Sequence, residues 1–390
     1  MVRFWMLGAA LAGLLGAGAA RADESTVTIG MILPMTGPFA STGKQERAAA
    51  ELYIQQHGDT VAGKKIVLEV KDDTGAPDVT KRLAEELIGN DHAKVLMGFG
   101  LTPLALAAAS VATEAKVPEI VTAAATAMIT EKSPYIVRTS FTLPQASAPM
   151  AEWAVKNGIK KVVTIVADYG PGIDAEKWFS DTFEKDGGTV TQKIRVPLKG
   201  PDFAPFLQRV KDDAPDAVFV FVPSGQGAIF MKEFVERGLD KAGIKLIGTG
   251  DVTDDDLLAD IGDSALGAVT THHYSAAHDS PENKAFVAAF EKANNGMRPN
   301  FMAVGGYDGM ALVYQALEKT KGDASGDALL AAMKGMSWMS PRGPVSIDPE
   351  TRDMVQNIYV RKVEKKDGAL YNVEFETIPD VKDPYKAAKH

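Results

Sequence analysis

The stretch 95–127, VLMGFGLTPLALAAASVATEAKVPEIVTAAATA, does most to limit what this chain can fold into. It reads as strand, loop, helix, strand and loop. The apolar run 95–97 ends in the turn Gly98-Phe99-Gly100, and Thr102-Pro103 has the order of an N-cap followed by a first-turn proline. The alanine-rich segment to Lys116 has strong intrinsic helix propensity. Val117-Pro118 closes it, Ile120-Val121 restarts a strand, and 122–126 is a small loop bearing hydroxyls. Two successive strands thus end in loops that offer backbone N–H groups and hydroxyls near helix N-termini, a setting that favours a carboxylate or other small anion. In an open α/β sheet, ligands sit outside the carboxyl ends of the strands. The ligand is expected here.

The same alternation runs along most of the chain. Before the focal stretch come a strand at 26–33, the loop 34–43 (PMTGPFASTG), helical character over 44–57, a strand at 65–70, and a helix to Ile88 with Asp78 as its expected N-cap. A short strand at 135–139 leads to a crossover near 141–144. A second series follows, with strands at 161–167, 190–196, 217–222, 244–247 and 268–271 separated by helical segments, and 272–277 reads as a return crossover. Ser280-Pro281-Glu282 has the order N-cap, N1 proline, acidic first turn. Helical patterns over 304–319 and 327–336 come next, then short strands at 345–347, 355–363 and 370–375, the last two forming a hairpin across Lys366-Asp367-Gly368. The tail after Pro379 is polar and expected to be loosely held. Strands alternating with helices imply parallel sheets covered on both faces, and two such series imply two α/β lobes.

The N-terminus carries the pattern of an export signal. Arg3 precedes an apolar, Gly- and Ala-rich run, and Ala20-Arg21-Ala22 is an A-x-A cleavage site, so residues 1–22 are expected to be removed. The run is too short for a membrane span. With no cysteine, a lipid anchor is excluded and an oxidising compartment is harmless. The expected mature protein is soluble and periplasmic. Loss of Arg3 and Arg21 moves the formal charge from −9 to −11. That acidity disfavours nucleic acid or an anionic membrane as partner, although a local nest of amides can bind an anion against the global field.

PMTGPFASTG after the first strand, the TAAATA loop, the ADYGPG loop, PDFAPFLQRV and GTGDVTDDDLLADIGDSALGA, in this order and spacing, resemble the periplasmic leucine/isoleucine/valine-binding proteins, which are type I solute-binding proteins of ABC importers. The resemblance covers roughly 26–375. It implies two Rossmann-like lobes joined by a three-strand hinge with the ligand in the cleft: lobe 1 from 23–143 and 275–345, lobe 2 from 144–274 and 346–390. It also implies hinge closure over the ligand, delivery to permease subunits in the membrane, and a monomer without cofactor. Carried over residue by residue, the resemblance places Ala124 and Thr126 in the second anion-binding loop and Thr102 in the first, where Pro103 has no N–H to give. Tyr169 matches the aromatic of lobe 2. The acid that pairs with a ligand ammonium in the family falls at Gly250, beside Asp251, and the ring over the ligand falls at Thr42. Ser41, Ser224 and Gln226 stand in the neighbouring strand-end loops. The implied ligand is a small carboxylate, either an aromatic or other organic acid or a branched-chain amino acid.

Each of these residues also has a purely structural reading. Thr102 and Thr126 can cap helices, Tyr169 can be a packed loop aromatic, and Ser41, Thr42, Ser224 and Gln226 can be turn residues. Asp251 heads an acidic run, Asp254–Asp256, that reads as a solvated helix start. His272-His273 invites a metal, but adjacent residues of a strand point to opposite faces and no third ligand accompanies them, so packing in the crossover is expected. The glycine-rich loops match neither a dinucleotide fingerprint nor a P-loop, and nucleophile elbows and H-E-x-x-H are missing from the sequence. An enzyme is therefore not expected. A ligand-sensing receptor module serving a membrane signalling partner is the alternative to transport.

Overall fold

The computed structural model describes residues 25–389, so the expected leader at 1–22 lies outside the described residues. Two sheets organise the chain. The first has six strands in the order Thr60–Val61, Lys64–Asp72, Thr26–Leu33, Val95–Gly98, Glu119–Val121, Ile136–Arg138. All its pairings are parallel except that of Thr60–Val61. Helices Ala40–His57 and Phe301–Lys319 pack together over one face, where Met31, Met97 and Leu317 are buried. Helices Pro77–Gly89 and Thr102–Ala115 cover the other, with Leu87, Leu96 and Ala108 between.

The second sheet has nine strands. Thr189–Val196, Lys161–Ala167, Ala217–Phe221, Lys245–Thr249 and Val269–His272 are parallel neighbours. Antiparallel strands Met354–Lys366, Gly343–Ile347, Ser337–Ser340 and Ala369–Val381 extend it. Helices Leu143–Lys156 and Gly170–Lys185 lie on one face, and Ala204–Asp213 and Gly227–Glu236 on the other. The chain passes between the two units at 139–142 and 273–280. It passes again along Met354–Lys366, a strand whose first residue is buried in the first unit's core and whose Val363 is buried in the second's. A further apolar cluster bridges the units, from Leu52 and Phe301 through Phe141 to Phe179 and Phe221.

Local chemistry explains most boundaries. Ser280 accepts from the Asn283 amide as N-cap with Pro281 at N1, and Thr142 with Gln145 forms a capping box, so a helix begins at Leu143 inside the expected crossover. Asp367 and Gly368 both take positive φ (53° and 84°), the geometry of a two-residue turn that follows sheet twist. Four expectations need correction. The N-cap at 76–78 is Ala76, with Asp78 inside the first turn. The helix of the focal stretch is capped at Leu101, not Thr102, and no side chain caps it. Asp254 and Asp255 are buried: Ser224 bonds Asp254, Asn372 donates to Asp255 at 3.0 Å, and Arg361 stands 3.7 Å from it. The polar tail is anchored too. Its last strand runs to Val381, and buried Lys386 in the turn Pro384–Ala387 pairs with Asp353 and donates to Thr130 at 2.5 Å.

Candidate ligand-binding cleft

The carboxyl ends of Val95–Gly98 and Glu119–Val121 face those of Lys161–Ala167, Ala217–Phe221 and Lys245–Thr249 across a narrow cavity. One wall comes from each unit, and rings line both: Phe39 and Phe141 on one side, Tyr169 and Phe221 on the other. Tyr169 and Phe221 stack with centroids 6.1 Å apart.

The loop 122–126 is held from behind by Arg138. This fully buried guanidinium donates to the carbonyls of Ala124 (2.8 Å), Thr126 (2.7 Å) and Phe141 (3.1 Å), and to Asp353 (2.9 Å). In a trans peptide the carbonyl and the following N–H point in opposite directions. Fixing the Ala124 carbonyl on Arg138 therefore turns the Ala125 amide away from the guanidinium, on a residue that lines the cavity. The Leu143 amide takes the Ala125 carbonyl, which orients the Thr126 amide in the same way. The Ala124 amide is engaged elsewhere, donating to Phe99 at 3.0 Å. Because Leu101 is the cap, Thr102 is the first helical residue, and its amide has no partner within the helix. Its hydroxyl, free of capping, meets that of Thr126 at 2.7 Å. Amides, a helix N-terminus and two hydroxyls thus converge on one corner, a setting for a carboxylate.

The second unit closes against this corner. Gly170 begins the helix Gly170–Lys185, and a Cβ there would lie 2.6 Å from the Thr126 hydroxyl oxygen. Asp174, one turn on, accepts from the Ala127 amide at 2.8 Å. Across the cavity, Ser224 and Asp251 face in. Asp251 accepts from the Thr249 hydroxyl at 2.8 Å and lies 3.7 Å from His272 Nε2. Burial holds His272 down at about 4 and His273 well below the ordinary histidine value, which favours the neutral ring in both. They pack on Phe141 and Phe301, as expected of crossover residues. No group of acidic or histidine side chains among the described residues is arranged to hold a metal. Burial, with Asp256 nearby, pushes the Asp254 carboxyl behind Ser224 well above the usual range.

Six of the ten residues singled out in the sequence line the cavity: Thr42, Thr102, Ala124, Tyr169, Ser224 and Asp251. Thr126 stands beside the wall, bonded to Thr102. Ser41 turns away to Asp256 at 3.1 Å, and Gln226 to the Leu198 carbonyl at 2.7 Å. Gly250 is off the wall, and a Cβ there would overlap the Arg361 guanidinium and the His272 ring. Sequence reasoning missed the apolar lining of Phe39, Phe141, Phe221 and Met302. Phe221 ends an apolar strand and Phe39 sits in the first strand-end loop, positions from which they could have been named. Arg138 could not, because its partner Asp353 is 215 residues away.

Two parallel-sheet units with a polar corner and an aromatic-lined cavity between their strand ends define a cleft-closing binding protein. The chain belongs to the periplasmic binding protein family, whose model matches residues 26–369. A leucine/isoleucine/valine-binding protein homologue from Brucella melitensis is 45% identical over 374 residues, 95% of each chain. An ABC-transporter solute-binding protein from Rhodopseudomonas palustris BisB5, solved with 3,4-dihydroxybenzoic acid, is 65% identical with a TM-score of 0.91, covering 93% of this chain and 99% of its own. Another from R. palustris, solved with 4-hydroxybenzoate, is 44% identical with a TM-score of 0.90, covering 94% and 100%. Both sheets and the strand-end cleft are those of type I periplasmic binding proteins. Among the described residues, no helix is long and apolar enough to cross a membrane.

Proposed function

We propose that this protein, the solute-binding component of an ABC importer, captures an aromatic carboxylate outside the cytoplasm and hands it to the importer's membrane permease. The observation that carries the ligand class is at Gly250. The side-chain space where the amino-acid binders place an acid for the ligand ammonium is filled here by Arg361 and His272. A ring seated among Phe39, Phe141, Tyr169 and Phe221 puts its carboxylate at Thr102 and the amides of the 122–126 loop. Asp251 and Ser224 then face the far side of the ring, where a phenolic hydroxyl finds acceptors. The two R. palustris proteins, bound to hydroxybenzoates, support this reading.

The ligand is bound and released unchanged. The two lobes are taken as 23–143 with 275–345, and 144–274 with 346–390; the packing of Phe301–Lys319 on Ala40–His57 supports placing that helix in lobe 1, while Ser337–Ser340 and Gly343–Ile347 pair into the second sheet. They close as one monomer through population shift toward the liganded form. A branched-chain amino acid is the second reading, because Asp251 reaches the cavity wall and could take an ammonium.

Isothermal titration of ligand-free protein with 3,4-dihydroxybenzoate, 4-hydroxybenzoate, benzoate and leucine tests the choice. Heat with the benzoates and none with leucine is expected; the reverse overturns the aromatic reading. Asp251→Asn adds a second arm. It should weaken hydroxylated benzoates and leave benzoate itself unchanged.

A further inference from the structure

Ser41, expected among the ligand-contacting residues, instead joins a cluster just outside the cavity. Asp256 lies in the loop after Lys245–Thr249, in the second unit. Its Oδ1 accepts from Asn300 Nδ2 at 2.9 Å, and its Oδ2 accepts from Ser41 Oγ at 3.1 Å and Gln45 Nε2 at 3.2 Å. All three donors belong to the first unit, at the start of helix Ala40–His57 and at the cap of helix Phe301–Lys319.

Two of the three donors are organised without Asp256. The Asn300 side-chain carbonyl caps its helix by accepting from Met302 (2.9 Å) and Ala303 (3.3 Å), which leaves its NH₂ aimed outward. Gln45 is fully buried; its Oε1 takes the Asn300 amide at 3.2 Å and its Nε2 also donates to the Arg298 carbonyl at 2.9 Å. The first unit therefore presents a socket with two of its three donors already fixed, which the second unit's carboxylate enters with little ordering left to lose. Beside it, Arg298 Nη1 donates across the same seam to the Leu370 carbonyl at 2.8 Å, and the guanidinium lies 4.1 Å over the Tyr371 ring.

The cluster is tied in sequence to the cavity wall on every side. Ser41 precedes Thr42, Asn300 is two residues before Met302, and Asp256 is two after Asp254, which holds Ser224. Thr42, Met302 and Ser224 all line the cavity, whereas none of the four cluster residues does. We infer that Asp256, received by Ser41, Gln45 and Asn300, is a closure latch: a positioning group that sets how long the ligand stays without touching it. This rests on the closing cleft described above, but on no particular ligand.

Asp256→Asn keeps the shape and removes the charge the socket receives. In full-length protein it should speed 3,4-dihydroxybenzoate dissociation, followed by stopped-flow displacement, by about tenfold, the scale of a lost charge-assisted bond. The association rate should stay within about twofold, since the encounter step does not use the latch. Ser41→Ala should act in the same direction, and the double variant by less than the product of the two. The chain has no cysteine, so spin labels at Lys81→Cys and Lys232→Cys, on exposed helical positions of the two units, report their separation directly. Asp256→Asn should move that distribution toward longer distances at an unchanged unfolding midpoint. Dissociation and distances both equal to wild type would overturn the latch. A wild type that binds no benzoate would overturn the aromatic reading alone, and the label distances would still decide the latch.

Discussion

Thr102 shows how a one-residue shift in a helix start changes a side chain's work. Because Leu101 is the cap, the Thr102 hydroxyl is left to meet Thr126 at the cavity corner. Thr102→Val, nearly isosteric, should weaken an aromatic carboxylate by about 1–3 kcal/mol, the range for losing a hydrogen bond to a charged group, with Thr126→Ala the smaller effect; titration calorimetry measures both. Gly250→Asp addresses the amino-acid reading from the opposite side. The new side chain overlaps Arg361 and His272, so it should lower stability by about 3 kcal/mol in urea unfolding without creating leucine binding. Glu46 offers a pH test. It is fully buried beside Thr122, and desolvation lifts its carboxyl to about 8. A raised carboxyl pKa means the folded state binds the extra proton. The contribution is complete below the unfolded value near 4.5 and is lost as pH rises through about 8, at roughly 1.4 kcal/mol per unit within that window. Glu46→Gln should flatten the fall in unfolding midpoint between pH 5 and 8.

At the scale of elements, the alternating pattern made the parallel strands and their helices readable, because the inner strands such as Lys161–Ala167 and Ala217–Phe221 are apolar runs and helices such as Pro281–Ala293 begin on a cap and a first-turn proline. The cleft followed, since in such sheets loops at the carboxyl ends of strands make the site. What stayed hidden depends on partners distant in sequence. Asp254 and Asp255 look like a solvated helix start until Ser224, Asn372 and Arg361 are brought to them. Lys386 looks like a loose tail until Asp353 and Thr130 surround it. Burial lowers the Lys386 ammonium, and the Asp353 carboxylate beside it acts against that. Lys386→Met should cost about 1–3 kcal/mol in denaturant unfolding, the range for a lost charged hydrogen bond, because Asp353 keeps Arg138 as its partner. It should also loosen the 122–126 loop, because Asp353 is shared with Arg138.

For the molecule as a whole, closure is written into contacts between the units. Gly170 against Thr126, Asp174 on the Ala127 amide and Asp256 in its socket all join one unit to the other. A bound aromatic acid at a hundred times its dissociation constant should add about 2.7 kcal/mol to unfolding stability, read as a raised thermal midpoint. The strand Met354–Lys366 has a different consequence. It is built into both cores, so neither half can fray while the other keeps its full hydrogen-bond ladder. The slowest amides to exchange with deuterated solvent should be spread over both sheets, and a protease should meet either the intact protein or a wholly unravelled chain, with no half-melted form between.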